Sequence, residues 1–193
     1  MGVLGSTRGS SLQLVLESIR DHKVEANISL CISDRKSSGI LDRVNSFGYP
    51  TLYLPAAKQS REQYDRAVSD AFVAAGVQVV MLVGYMRILS AEFVHQWRDR
   101  CFNVHPSLLP EFAGGMDLGV HSQVIAAKKD VSGCTVHLVT EVVDGGPILV
   151  QLKCPVLPED SPESLKARVQ SLEGPALLRA IDMFRNGQVV TAA

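Results

Sequence analysis

The sequence predicts an α/β protein built on an open, twisted, mostly parallel β-sheet. Helices are expected on both faces, and an antiparallel strand pair at the C-terminal edge. Short apolar runs alternate with amphipathic segments whose apolar residues recur at i, i+3 and i+4. Val77–Val83 is almost entirely apolar, which is typical of a central parallel strand covered on both faces. Alternation of this kind indicates parallel strands joined by helical crossovers.

The predicted strands are seven short apolar runs. The last two are separated by a turn-rich stretch containing Asp144-Gly145-Gly146-Pro147, which predicts their antiparallel pairing. The first begins almost at Met1, so we expect weak edge pairing there. The runs are Gly2–Gly5, Ile28–Ser33, Thr51–Leu54, Val77–Val83, Cys101–Val104, Cys134–Val139 and Ile148–Pro155.

The clearest predicted helix spans Ser60–Ala75. Ser60 and Gln63 have the spacing of a capping box, and Gly76 supplies the stop signal. Ser90 is predicted to cap a shorter helix.

A late helix is expected to begin where Ser161 precedes Pro162, because proline is favoured in the first turn. Gly174-Pro175 should kink or divide it.

Composition favours one compact domain, residues 1–193, with 46% hydrophobic residues. Lys and Arg total 19 and Asp and Glu total 20, so no basic surplus points to nucleic acid. No stretch approaches membrane-spanning length and no targeting segment is recognisable, so we expect a cytoplasmic protein. The four scattered cysteines lie in apolar runs and are expected to be buried, reduced thiols: Cys31, Cys101, Cys134 and Cys154.

Ligands of open α/β sheets bind beyond the carboxyl ends of the strands. The stretch Gly5–Gln13 follows the first strand and is rich in small residues, so its backbone N–H groups can approach a phosphate. A plain tight turn capped by Ser10 or Ser11 is an equal alternative. Gly84–Leu89 follows the most apolar strand and offers either an apolar slot for a flat heterocycle or a simple helix entry.

Asn103 and His105 are two residues apart in a predicted strand that Pro106 ends. Residues two apart in a strand point to the same face. An amide donor beside an imidazole can stabilise an oxyanion and move a proton, which favours a functional pair over two satisfied structural groups.

The loop Thr140–Gly146 could bring Asp144 back to His105. A carboxylate there would orient the ring and favour its protonated form. Asp-Gly is also ordinary turn chemistry. His95 is expected on a solvated helix face. Two further histidines, His121 and His137, either line the same pocket or are structural.

These pieces, in this order, resemble the phosphoribosylglycinamide formyltransferases of purine biosynthesis. The resemblance runs nearly end to end, through "GSTRGSSLQ", "VGYMRILS", "FNVHPSLLP", "HLVTEVVDGGPILVQ" and "ARVQSLEGPAL". It implies a Rossmann-like sheet of the formyltransferase fold. It also implies 10-formyltetrahydrofolate as co-substrate, phosphoribosylglycinamide as acceptor and no metal. We expect a monomer or homodimer without macromolecular partners.

The resemblance also implies roles for individual residues. The implied catalytic residues are Asn103, His105 and Asp144. The Leu109-Pro110 bond is expected to be cis. Those implied for the phosphoribosylglycinamide substrate are Gly9, Ser10, Ser11, Gln170 and Glu173. Those implied for folate are Arg61, Met86, Arg87, Ile88, Leu89, Asn103, Thr140, Glu141, Val142, Val143 and Asp144.

The chain departs from the commonest family pattern at two places: Ser11 stands where asparagine is usual, and the loop Glu111–His121 is longer. One alternative within the same chemistry is a formyltetrahydrofolate hydrolase, which would carry an N-terminal regulatory domain for which this chain has no room. Another is a dinucleotide-binding module with Asp34 as a ribose ligand, although the glycine pattern of such modules is absent.

Overall fold

The computed structural model describes residues 1–189. The strands in that range are β1 (Gly2–Leu4), β2 (Leu30–Ser33), β3 (Thr51–Tyr53), β4 (Val80–Leu82), β5 (Cys101–His105), β6 (Val131–Leu138) and β7 (Ile148–Pro155). The α-helices are α1 (Gln13–Arg20), α2 (Ile40–Ser46), α3 (Arg61–Ala74), α4 (Ala91–Gln96), α5 (Leu118–Ala126) and α6 (Pro162–Arg185).

The strands form one sheet in the order β3-β2-β1-β4-β5-β6-β7. The pairs from β3 to β5 are parallel, and β6 pairs with β7 in antiparallel fashion. The predicted fold class is therefore confirmed. β1 pairs with strands on both of its sides, so the expectation of weak edge pairing at the N-terminus is wrong.

Several strand boundaries differ from the predicted ones. β4 is shorter than the apolar run Val77–Val83, because Val77 closes the end of α3 by donating its N–H to the Phe72 carbonyl at 3.0 Å. β6 begins at Val131, three residues earlier than predicted. β5 extends to His105, so both polar side chains of the Asn103/His105 pair belong to the strand itself.

The α6 helix is unbroken, so the prediction that Gly174-Pro175 divides it is wrong. A proline inside a helix removes one backbone hydrogen bond and costs about 3 kcal/mol. The helix buries a long apolar face that includes Leu165, Val169 and Leu177, and it contacts β6 and β7. Burying each such side chain contributes about 1.5–3 kcal/mol, which together outweighs the loss.

The chain separates into two compact units, residues 1–103 and the part that begins at Val104. In the first, Trp97 lies edge-on to Phe72 and donates its indole N–H to Ser69 Oγ at 2.6 Å. In the second, α6 contacts α5 and the β6–β7 pair. A single domain of 193 residues stays a prediction.

The four cysteines are buried and free of disulfides, as predicted from their apolar surroundings. Burial raises the pKa of the Cys31 and Cys134 thiols to about 12, so neither is a ready nucleophile at neutral pH. Within residues 1–189, no helix is both long enough and apolar enough to cross a membrane.

The predicted helix caps are confirmed. Ser60 and Gln63 form the capping box of α3, and Gly76 follows that helix at φ +66°. Ser90 caps α4, and Ser161 caps α6 with Pro162 in its first turn.

Replacing Ser60 tests the α3 cap. Ser60→Ala leaves the Gln63 N–H of the first turn without its side-chain acceptor and should lower the free energy of unfolding by about 1 kcal/mol in urea titrations. Ser60→Asn, which conserves a capping oxygen, is the control and should stay near the parent value. Equal losses in both variants would contradict the capping role.

Candidate active site

The carboxyl end of β5 carries the two polar side chains that the sequence singled out. Asn103 is half-buried and His105 is 4% exposed. They alternate with the buried Val104, so both side chains leave the strand on the same face. Pro106 follows directly and has no N–H to extend the ladder, which ends the strand at the imidazole.

Asp144 lies beside His105, as the sequence predicted. Asp144 Oδ2 is 3.2 Å from His105 Nδ1, and the carboxylate side chain is only 10% exposed. The same oxygen accepts a hydrogen bond of 2.8 Å from the Gly114 N–H. On the far side of the ring, His105 Nε2 is 3.1 Å from the Phe112 carbonyl oxygen. Both ring nitrogens of His105 thus face acceptors, which suits an imidazolium.

The pKa shifts of the pair have opposing causes. Burial lowers the pKa of His105 below its usual value, although the Asp144 charge and the Phe112 carbonyl both oppose that shift. The expected effect of Asp144 on the ring is therefore present, but burial outweighs it. Burial alone would raise the pKa of Asp144. Hydrogen bonds from His137 and Gly114, together with the imidazole charges, lower it overall.

The lowered pKa of His105 has a consequence for stability. Its unfolded value is about 6.5, so the folded state binds fewer protons than the unfolded chain just below that pH. The resulting stabilisation is present above about pH 6.5 and is lost as the pH falls through the folded-state value.

The loop after β6 is shaped to return Asp144 to the sheet. The Leu138 N–H donates to the Pro147 carbonyl at 2.9 Å, which closes the loop at its base. A Cβ on Gly146 would lie 1.8 Å from the Leu138 carbonyl oxygen, so only glycine fits there. Asp144 itself has φ +53°, a left-handed conformation that aspartate tolerates better than most residues.

A buried hydrogen-bond network fixes the segment that follows His105. Thr135 Oγ1 on β6 donates to the Ser107 carbonyl at 2.6 Å and accepts from the Leu109 N–H at 3.0 Å. Gln151 on β7 donates to the Leu109 carbonyl at 2.9 Å. The Leu109-Pro110 bond within this segment is cis, as expected. The network holds the chain that leads to Phe112 and Gly114.

Sequence reasoning missed two groups that touch the His105/Asp144 pair. Both are backbone groups, the Phe112 carbonyl and the Gly114 N–H, which no residue type signals. His137 was expected either to line the pocket or to be structural. Its Nε2 is 3.4 Å from Asp144 Oδ1, so the structure favours the pocket.

The predicted phosphate loop lies in the first unit, between β1 and α1. Gly9 has φ +62° and precedes a short 3-10 turn, Ser10–Leu12, that leads into α1. The N-cap residues of this turn and of α1 are Gly9 and Leu12, so the prediction that Ser10 or Ser11 is the N-cap is wrong. A plain tight turn stays an alternative to a phosphate loop. Ser11 is buried and Ser10 is half-buried.

The predicted folate segment, Met86 to Leu89, has neither helical nor strand structure and is hydrogen-bonded to the segment that follows β1. The Met86 N–H donates to the buried Ser6 Oγ at 3.1 Å. The Arg87 guanidinium lies 4.9 Å from the Tyr64 ring centroid, so this side chain packs on α3. Ile88 is exposed. Arg61 is exposed in the first turn of α3, and its Nε lies 3.3 Å from Glu62 Oε1.

The remaining predicted residues lie in the second unit. Glu141, Val142 and Val143 are exposed at the tip of the loop after β6, and Thr140 Oγ1 donates to the Val142 carbonyl at 3.1 Å. Gln170 and Glu173 are half-buried and three residues apart on α6, which places them on one face of the helix. Their ligand roles stay predictions.

His95 is exposed on α4, as predicted. His121 is buried on α5, and its Nδ1 has no hydrogen-bond partner. In the part of the chain that the structure describes, no group of three or more His, Cys, Asp or Glu side chains is placed to hold a metal ion.

The chain is similar to known proteins along most of its length. The family model described as Formyl transferase matches residues 1–181, and the chain belongs to this family.

Three relatives show how far the similarity extends. The phosphoribosylglycinamide formyltransferase of Escherichia coli (strain K12) is 36% identical, with 97% of this chain aligned to 87% of that protein. A trifunctional purine biosynthetic protein of Drosophila melanogaster is 41% identical over 97% of this chain, which spans only 14% of its length. The crystal structure of glycinamide ribonucleotide transformylase 1 from Symbiobacterium toebii superposes with a TM-score of 0.94 at 36% identity, covering all of this chain and 90% of that one.

Asp144→Asn tests the coupling of the buried pair. The substitution removes the charge that opposes the effect of burial, so the pKa of His105 should fall further below its usual value. An NMR titration of the His105 ring measures it. Asp70→Asn, which removes an exposed carboxylate on α3, is the control and should leave the titration unchanged. A raised or unaltered pKa in Asp144→Asn would contradict the coupling.

Proposed function

We propose that the protein transfers the formyl group of 10-formyltetrahydrofolate to the amine of 5'-phosphoribosylglycinamide in de novo purine (IMP) biosynthesis. The observation that carries this proposal is the buried contact of 3.2 Å between His105 and Asp144, with Asn103 two residues away on the same strand face. The names of the relatives that align over most of their length support the choice of acceptor and of formyl transfer as the reaction.

The reaction begins when the substrate amine attacks the formyl carbon on folate N10. A carbon–nitrogen bond forms, and the carbonyl electron pair moves onto the formyl oxygen. The Asn103 amide and the protonated His105 ring donate hydrogen bonds to that oxygen as its charge develops. The oxygen then returns its electron pair, and the bond from carbon to N10 breaks.

His105 also balances the protons. The departing N10 needs a proton and the attacking amine loses one, so the protonated imidazole can deliver its Nε2 proton to N10 and then accept the proton of the amine. Asp144 stays ionised because its pKa is lowered, and it holds Nδ1 of the ring. Nε2 is then the nitrogen that exchanges the proton, and the formyl oxygen would replace the Phe112 carbonyl as its partner.

The two substrates are assigned to separate groups of residues. Gly9, Ser10 and Ser11 would hold the phosphate through the backbone N–H groups of the turn, since the net charge of −1 gives no general attraction for anions. Gln170 and Glu173 would contact the ribosyl phosphate.

The folate would lie against Arg61, the Met86–Leu89 backbone and the loop Thr140–Val143. A pterin ring is flat and carries several hydrogen-bonding edges, so exposed backbone with apolar side chains is a suitable surface for it. No metal or nucleic-acid partner enters the proposed reaction.

A product assay tests the proposal directly. Purified protein with 10-formyltetrahydrofolate and phosphoribosylglycinamide should give the formylated ribonucleotide and tetrahydrofolate. Mass spectrometry and absorbance measure these products. Omitting the acceptor should stop folate turnover. Formate released at the same rate without the acceptor would instead assign the protein as a hydrolase, and tight NADH binding would support a dinucleotide module.

Asn103→Ala tests the oxyanion role. Removing one such donor should lower kcat by about 100- to 1,000-fold, because the amide acts on charge that exists only in the transition state. The Kd of the folate, measured by fluorescence quenching, should change far less. Asp144→Asn should likewise lower kcat strongly, and Asp70→Asn should keep normal turnover. Near-normal kcat in either site variant would disprove the assigned role.

A further inference from the structure

We propose that His137 on β6 is a positioning residue for the formyl transfer, holding the Asp144 carboxylate from the side opposite His105. This rests on the proposed function for its catalytic meaning. The arrangement places one buried carboxylate between two buried imidazoles, and the second imidazole has no place in the reaction steps described above.

The two oxygens of the Asp144 carboxylate contact different imidazole rings. Asp144 Oδ2 lies 3.2 Å from His105 Nδ1 and 2.8 Å from the Gly114 nitrogen. Asp144 Oδ1 lies 3.4 Å from His137 Nε2. The His137 side chain is 3% exposed, so water competes little for this contact. Each oxygen of the carboxylate therefore has its own imidazole, and rotation of the carboxylate would break both contacts.

The second nitrogen of His137 fixes its tautomer. His137 Nδ1 lies 2.9 Å from the Leu138 carbonyl oxygen, which can only accept, so Nδ1 carries a hydrogen. A neutral ring would then turn the lone pair of Nε2 toward the carboxylate. The contact is favourable only when a proton lies between Nε2 and Asp144 Oδ1. His105 faces the same demand, because its two nitrogens also face two acceptors. Asp144 is thus an acceptor shared by the two rings.

The backbone around His137 is built to aim the ring. The register of the β6–β7 pair is irregular between Val136 and His137, and irregularities of this kind redirect a side chain. Immediately after it, Leu138 is the residue whose carbonyl Gly146 approaches and whose N–H holds Pro147. His137 and the loop that carries Asp144 are therefore anchored at the same point of the strand.

Other ionisable groups around this cluster are few. His121 on α5 is buried near His105, and Lys166 on α6 lies near His121. Glu173 on α6 influences Cys134 on β6. In the described part of the chain, His105, His137 and Gly114 contact Asp144 directly.

The test is an NMR titration of the Asp144 carboxyl carbon in the substrate-free protein. In His137→Leu the pKa of Asp144 should rise toward its ordinary value, because the hydrogen bond from His137 is the largest of the effects that lower it. Ser132→Ala, at another buried polar position of β6, is the control and should leave the Asp144 titration unchanged. An Asp144 titration identical in His137→Leu and the parent would overturn the proposal.

A second measurement covers the case in which His137→Leu does not fold. In Asp144→Asn, which conserves shape, the ¹⁵N resonance of His137 Nε2 should shift, because that nitrogen loses its charged partner. An unmoved resonance would overturn the contact. Both measurements need no substrate, so they stand even if the product assay gives no formylated ribonucleotide.

The kinetic consequence separates positioning from a purely structural role. His137→Leu should lower kcat about ten- to a hundredfold with a nearly unchanged KM, as expected for losing one hydrogen bond to a charged group. His137→Gln conserves an N–H donor and should recover most of kcat. The double variant with Asp144→Asn should lose little more than Asp144→Asn alone. Fully additive losses would contradict a role through Asp144.

Discussion

Everything at this site depends on keeping a carboxylate ionised where little water reaches it. Burying a charge without partners is strongly unfavourable, and a protein normally avoids it by neutralising the group. Asp144 instead receives hydrogen bonds from a backbone N–H and contacts from two imidazoles. These groups overcome the effect of burial for Asp144, whereas burial wins for His105. One member of the pair is thus held as a charge, whereas burial favours the neutral form of the other.

The fixed charge in turn requires two loops to hold their shape. The segment after β5 delivers the Phe112 carbonyl and the Gly114 N–H, and it is secured by a network in which Thr135 bonds to both Ser107 and Leu109. Thr135 is fully buried, so these hydrogen bonds have no competition from solvent. The segment that carries these two groups is therefore held in place by Thr135 on β6 and Gln151 on β7.

Sequence reasoning gave the sheet, the helix caps and the meeting of His105 with Asp144, because each leaves a local pattern. Strand alternation put Asn103 and His105 on one face, and Asp144-Gly145-Gly146 marked a loop that returns to the sheet. Sequence reasoning failed where tertiary contacts decide where a strand or helix ends. The apolar run from Val77 extends beyond its strand because α3 uses Val77 to finish its last turn. α6 continues through Pro175 because its packing outweighs one lost hydrogen bond. The backbone partners of the site, the Phe112 carbonyl and the Gly114 N–H, could not be predicted, because such groups do not depend on the residue type.

The close approach of Gly146 to the Leu138 carbonyl divides the loop after β6 into parts with different freedom to vary. Gly146 at its base leaves no room for a side chain, whereas Val142 and Val143 at its tip are exposed to solvent. The side chains at the tip, which are proposed to contact the folate, can therefore differ without moving the base of the loop. Gly146 sets the position of that base through its backbone alone.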